Sequence, residues 1–322
     1  MSNFHHHQSH PATMASPHGL VQYIRLKAVT SLLRLLTYVF TRSHFRPSAT
    51  CKRKEVRIPS REKGRFIKAW IYYPPNYESG EPRGLVVNWL GGGYIIPNLG
   101  MDHAFCDRVA RDADLLVLDA DYQKAPERPF PAAVEDAEDV LRWVESQKRL
   151  FDVDRVALSG FSSGGNLALV AASELRRDFK NINVRAVYAF YPGVDFNIPA
   201  EARVVPEPIE PLPIWYQRFF TDCYVPRLED RTSPRASPMH ADASSFPALT
   251  LLFVCSGDIL APETEALGRK LELAGRSVEV VKVEGVAHGF DKTIKPNLHS
   301  PEKTEMTYSK VVESLKAVMR TG

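Results

Sequence analysis

Apolar and polar positions alternate in a repeating rhythm through most of this 322-residue chain. From residue 84 onward short apolar runs recur: "GLVVNWL" (84–90), "LLVLDADY" (115–122), "RVALSG" (155–160), "VRAVYAFYP" (184–192), "ALTLLFVCSGD" (248–258) and "SVEVVKVEG" (277–285). Each has the length and β-branched content of a strand buried on both faces. Between them lie segments with helical spacing. "PAAVEDAEDVLRWVESQ" (131–147) puts Val134, Ala137, Leu141 and Val144 on one face, with Pro131 near its start. Further helices are expected over 164–178, 262–275 and 302–320. Upstream, "VRIPSREKGRFIKAWIYYPP" (56–75) alternates strictly and ends in prolines, which predicts an antiparallel pair at a sheet edge. Strands alternating with helices imply an α/β fold, with a mostly parallel central sheet and helices on both faces.

Two stretches break the rhythm. Residues 195–245 are proline-rich and hold the aromatic cluster "WYQRFF" (215–220), so they are expected to form a cap inserted into the body. Residues 28–40, "AVTSLLRLLTYVF", are apolar apart from Arg34 and a few hydroxyl side chains, and too short to span a bilayer of about 30 Å. Three structures suit that run: an amphipathic helix covering part of the fold, a helix lying on a membrane surface, or part of a transit peptide. The expected organisation is a basic N-terminal segment, 1–54, partly disordered and partly cap or surface helix, followed by a body over 55–322 with its cap insertion at about 195–245.

Charge sharpens that division. Residues 1–54 hold eight Lys or Arg and no Asp or Glu; the rest of the chain has 33 basic against 38 acidic residues. No basic stripe runs through the body, which argues against a nucleic-acid partner. The four cysteines are scattered and form no C-x-x-C pair, so neither a disulfide framework nor a metal centre is expected. His5, His6, His7 and His10 sit in a Ser/Pro/His-rich start read as disordered, where metal binding would be adventitious. The composition suits a cytoplasmic protein. The acid-free start adds organelle targeting or peripheral membrane contact through residues 19–42 as further expectations.

The chemistry begins at the end of the 155–160 strand. Gly160-Phe161-Ser162-Ser163-Gly164 matches G-x-S-x-G between a strand and a helix. Two glycines flanking a serine permit a tight turn that exposes its hydroxyl at a helix N-terminus. Of Ser159, Ser162 and Ser163, only Ser162 has glycine on both sides at that spacing. Serine needs a base to become nucleophilic. His288 lies in the loop "EGVAHGF" after one late strand, and Asp258 ends another at "SGDIL". The order Ser162, Asp258, His288 is that of an α/β-hydrolase relay, in which the acid orients the base and the base takes the serine proton. Asp291 is a rival acid, but it lies three residues past the histidine and follows no strand. "NWLGGGY" (88–94) closes another strand with three glycines, a backbone suited to binding an oxyanion.

With these motifs together the chain resembles the hormone-sensitive-lipase-like branch of the α/β-hydrolases, over roughly residues 55–320. The resemblance rests on "GGGY" (91–94), "DYQKAPERPFPAAVEDA" (121–137), "GFSSGGNLA" (160–168), "GDIL" (257–260) and "AHGF" (287–290). It implies Ser162, Asp258 and His288 as the catalytic residues, and backbone donors at Gly92, Gly93 and Ser163. It also implies a cap built from N-terminal helices and the 195–245 insertion, and no cofactor. The family's loop usually reads His-Gly-Gly-Gly, and Leu90 stands where that histidine would be. Beside the hole, Leu90 and Tyr94 are the pocket candidates. On the cap, Trp215, Tyr216, Phe219 and Phe220 serve as cap core or as substrate wall, with Trp215 and Phe219 the candidates put forward.

The expected activity is hydrolysis of a small lipophilic carboxylic ester, with a short acyl group, through an acyl-enzyme. The resemblance also admits a non-hydrolytic lyase or cyclase acting on a specialised metabolite, favoured by Leu90, and a ligand-binding receptor, disfavoured by an intact base.

Overall fold

The computed structural model describes residues 18–41, 50–78 and 80–320. The histidines at 5–7 and 10 lie outside them. One eight-stranded sheet runs in the order β1-β2-β4-β3-β5-β6-β7-β8. β1 (Lys52–Pro59) and β2 (Phe66–Tyr73) form the expected antiparallel edge pair, and β2 also runs antiparallel to β4 (Leu116–Ala120). The other strands are parallel: β3 (Arg83–Trp89), β5 (Phe151–Phe161), β6 (Val184–Phe190), β7 (Leu249–Cys255) and β8 (Ser277–Val283). The first strand takes in Lys52, Arg53 and Lys54, so sheet pairing begins inside the basic N-terminal segment.

Helices α2 (His103–Ala113), α3 (Ala132–Ser146), α4 (Ser163–Ser173), α6 (Ala261–Leu273) and α7 (Pro301–Val318) cover the sheet. α4 is the most deeply placed, with every residue buried. It is shorter than the expected 164–178 helix, and its last turn tightens into a 3-10 segment at Leu175–Asp178. Two apolar layers result, one on each face of the sheet. This is the α/β architecture expected of the sequence.

The 195–245 stretch contains one α-helix, α5 (Ile214–Tyr224), and several 3-10 turns. A buried ion pair ties it to the body: Arg203 Nε donates to Glu263 Oε2 at 2.8 Å, while Glu263 Oε1 accepts the Val194 N–H.

The apolar run at 28–40 belongs to a 22-residue helix, α1 (Leu20–Thr41). Its orientation is the reverse of what amphipathicity leads one to expect. The side turned to the protein is largely polar. Arg34 donates through Nε to the Ile95 carbonyl and through Nη2 to the Ala125 carbonyl, and it pairs with Glu127. Lys27 also pairs with Glu127, and Thr30 lies beside Cys223 of α5.

Candidate active site

The parallel strands deliver their C-terminal ends to one edge of the sheet, where ligands bind in such folds. β5 ends at Phe161, and the chain turns directly into α4 through Ser162. That residue has φ +52° and ψ −117°, a strained geometry for a non-glycine residue. The flanking glycines are a steric necessity. A Cβ on Gly160 would lie 2.2 Å from the Gly164 carbonyl oxygen, and one on Gly164 would lie 1.9 Å from that of Trp89. The Ser162 N–H donates to the Phe190 carbonyl at 2.9 Å, fixing the turn to the neighbouring strand.

β7 and β8 bring the other two residues to this turn. His288 Nδ1 lies 2.7 Å from Asp258 Oδ2, and its Nε2 lies 2.9 Å from Ser162 Oγ. A carboxylate only accepts, so Nδ1–H donates to Asp258 and Nε2 is left to accept from the serine hydroxyl. The second Asp258 oxygen accepts the Leu260 N–H at 3.1 Å. Burial by itself would push the His288 pKa down. The Asp258 carboxylate, with a smaller contribution from Asp291, outweighs it and raises the imidazole above its ordinary value.

Asp291 does not touch His288. It accepts hydrogen bonds from the hydroxyls of Tyr191 and Tyr308, each at 2.6 Å, and pairs with Lys292 at 2.7 Å. Burial would raise its pKa, but Lys292 and the two tyrosines bring it below the usual carboxylate value. Lys292 bridges on to Asp102 at 3.2 Å. The edge of the Tyr191 ring packs on His288, with centroids 4.8 Å apart. Sequence inspection gave no sign of this buried network, because its members come from four separate segments.

Gly92 and Gly93 both have positive φ, +134° and +59°, so the loop after β3 doubles back beside Ser162. Among the described residues, the N–H groups of Gly92, Gly93 and Ser163 donate to no protein acceptor, and all three residues border the same cavity as Ser162. Leu90 stands where the family's histidine would be, at the start of this loop. The Tyr122 hydroxyl donates to the Leu90 carbonyl at 2.9 Å and lies 3.1 Å from Ser163 Oγ. Arg34 holds the far end of the loop at Ile95.

The cavity is about 350 Å³ and mostly apolar. Tyr94 lies on its wall, stacked on Tyr224 with centroids 3.5 Å apart. The other three pocket expectations need correction. Leu90 is fully buried in the core and does not border the cavity. Phe219 packs into the core beneath the cap, and Trp215 is 62% exposed on the outside. The cavity face of α5 carries Tyr216, Gln217, Phe220 and Thr221 instead. Trp215 and Phe219 are four residues apart and share a helix face, as do Tyr216 and Phe220. The sequence shows both pairs, but only the packing of α5 selects which one faces the cavity.

The chain is similar to known proteins in sequence and in fold. Residues 86–292 match a family described as the alpha/beta hydrolase fold. The chain is 30% identical to an ethyl acetate hydrolase of Pseudomonas putida over 70% of its own length and 72% of the relative's. It is also 30% identical to the carboxylesterase NlhH of Mycobacterium tuberculosis, covering 73% of this chain and 76% of that one. Among solved structures, an esterase of Pyrobaculum calidifontis superposes with a TM-score of 0.76 at 30% identity, over 91% of this chain and 92% of the other.

Proposed function

This chain belongs to the alpha/beta hydrolase fold family, and from that membership we propose that it is a serine-dependent carboxylic-ester hydrolase acting through an acyl-enzyme. The observation that carries the proposal is the unbroken contact from Asp258 through His288 to Ser162, at the floor of an apolar cavity. Ser162 Oγ attacks the ester carbonyl as its proton passes to His288 Nε2. Asp258 stabilises the imidazolium that forms. The negative oxygen of the tetrahedral intermediate is held by the N–H groups of Gly92, Gly93 and Ser163, which have no competing acceptor among the described residues. His288 then protonates the departing alcohol. Water, deprotonated by the same imidazole, releases the acid and restores the serine.

The walls argue for substrate type. Tyr216, Phe220, Ile96 and Leu212 make the cavity suited to a small lipophilic ester, and its volume favours a short acyl chain. Elimination or ring closure, which the resemblance admits, gains weight from Leu90 only if the oxyanion loop is loose. Tyr122 and Arg34 hold that loop by other means, which favours hydrolysis. The test is a p-nitrophenyl ester series from acetate to laurate, assayed with the wild type and with Ser162→Ala. Turnover highest on the short acyl chains and lost in the variant supports the proposal. An inert wild type overturns it.

A further inference from the structure

Of the nineteen exposed large apolar side chains among the described residues, ten lie on α1. Leu20, Val21, Ile24, Leu32, Leu35 and Val39 are each at least half exposed. Only Leu26 and Leu33 of this helix pack into the core. Because the inward stripe is the polar one, the helix is held to the protein by Lys27, Thr30 and Arg34 while its hydrophobic side faces out. An isolated exposed leucine means little, but a contiguous apolar helix face in a water-soluble body marks an interaction surface.

α1 also touches the cap and borders the cavity. Thr30 of α1 meets Cys223 near the end of α5, while Thr37 borders the cavity together with Tyr216 and Phe220 near its start. Ile214 and Trp215, at the start of α5, are exposed as well. Both helices contribute to the cavity wall.

We propose that the outward face of α1 docks on an anionic lipid surface. Charge selects lipid over a second copy of the chain. Residues 1–54 carry eight basic residues and no acidic one, so two such segments repel each other while an anionic bilayer attracts both. Arg25 is exposed on α1 itself, and Lys52 and Lys54 are exposed where β1 begins. Apolar side chains inserted at the headgroup level and basic residues in the surrounding field are the two components of interfacial binding. The docking goes beyond the esterase reading and does not depend on it. Its consequence is that the cavity lies beside the lipid, and that Arg34 links the docked helix to the glycine loop through Ile95.

The experiment is flotation of the full chain with phosphatidylcholine vesicles, with and without phosphatidylserine, for the wild type and for Leu32→Glu/Leu36→Glu. Neither leucine borders the cavity, so hydrolysis of a soluble ester and the melting temperature serve as controls for folding. The wild type is expected to float with the anionic vesicles, to be released by high salt, and to bind neutral vesicles at least about tenfold less well. The double variant is expected to lose flotation at unchanged melting temperature. No flotation of the wild type, or equal flotation of wild type and variant, overturns the proposal. A lipid-free dimer that the variant converts to monomer assigns the face to a second copy instead. A fall in melting temperature with flotation unchanged assigns it to another segment of the same chain.

Discussion

The ring of Phe220, on the cap helix, lies directly against the bare Cα of Gly93 in the loop beside Ser162. A Cβ on Gly93 would come within 2.1 Å of the ring, and φ at Gly93 is +59°. The cap therefore rests on the backbone proposed to bind the oxyanion. Gly93→Ala is expected to lower kcat about a hundred- to a thousandfold, the cost of displacing one oxyanion donor. Adding Phe220→Ala relieves the clash but not the backbone strain, so it should restore only part of the loss. Steady-state kinetics on a p-nitrophenyl ester checks both. Full recovery in the double variant would mean that the ring, and not the backbone, sets the loop.

The two glycines around Ser162 act on folding and the serine acts on chemistry. Gly164→Ala drives a methyl group into the Trp89 carbonyl, and we expect a loss of about 3 kcal/mol or more. Ser162→Ala removes a hydroxyl at the cavity floor and should change stability by less than about 1 kcal/mol. Urea midpoints of the two variants against the wild type measure the difference.

Asp258 and Asp291 are both carboxylates near His288, yet their loss should differ in kind. Asp258→Asn is expected to lower kcat about ten-thousandfold, because it removes the group that sets the imidazole tautomer. Asp291→Asn removes one of the two buried carboxylates that pair with Lys292, so it should cost about 1.5–3 kcal/mol of stability while kcat falls less than about tenfold. Thermal melts beside kinetics separate the two.

The pH dependence follows from the same contacts. His288 works as a base only when neutral, and its pKa lies above the ordinary imidazole value. In the wild type kcat/KM should fall on the acid side with a midpoint above about 6.5. Asp258→Asn removes the charge that raises the pKa and leaves burial to lower it. The residual activity of that variant should therefore lose its acid limb at lower pH. A pH–rate profile showing no shift would contradict the assignment.

Glu127 governs a different window. Burial would raise its pKa, but the bonds from Arg34 and Lys27 bring it down to about 2. A carboxylate depressed in the folded state stabilises at pH above its unfolded value, near 4.3, and that contribution disappears as pH falls toward 2. Docking of α1 should weaken in that range. Arg34→Ala should reduce this acid dependence to the part that Lys27 supplies and, by freeing Ile95, raise KM or lower kcat several-fold at neutral pH. Limited proteolysis of α1 against pH reports the docking.

Much of this was legible in the residues. Buried strands read as continuous apolar runs, and a parallel sheet brings their ends together whatever lies between, so Ser162, Asp258 and His288 could be placed by order alone. Gly160 and Gly164 were legible because only glycine fits so tight a turn. The cap side chains were not, since the phase of an eleven-residue helix depends on what it packs against. Phe219 is buried in the core and Trp215 is exposed, and it is Tyr216 and Phe220 that the structure turns to the cavity. The setting of Leu90 was not legible either, since its carbonyl is held by Tyr122, thirty-two residues away. α1 also hid its orientation, because amphipathicity gives the direction of an apolar face only if that face meets the core.

The most direct test of the account is the intact mass of the protein, quenched in acid during turnover of p-nitrophenyl butyrate and then mapped by peptide digestion. A butyryl adduct on Ser162, absent in Ser162→Ala, is the expected result. Turnover of the ester with no adduct on Ser162, or with the acyl group on another residue, would contradict it.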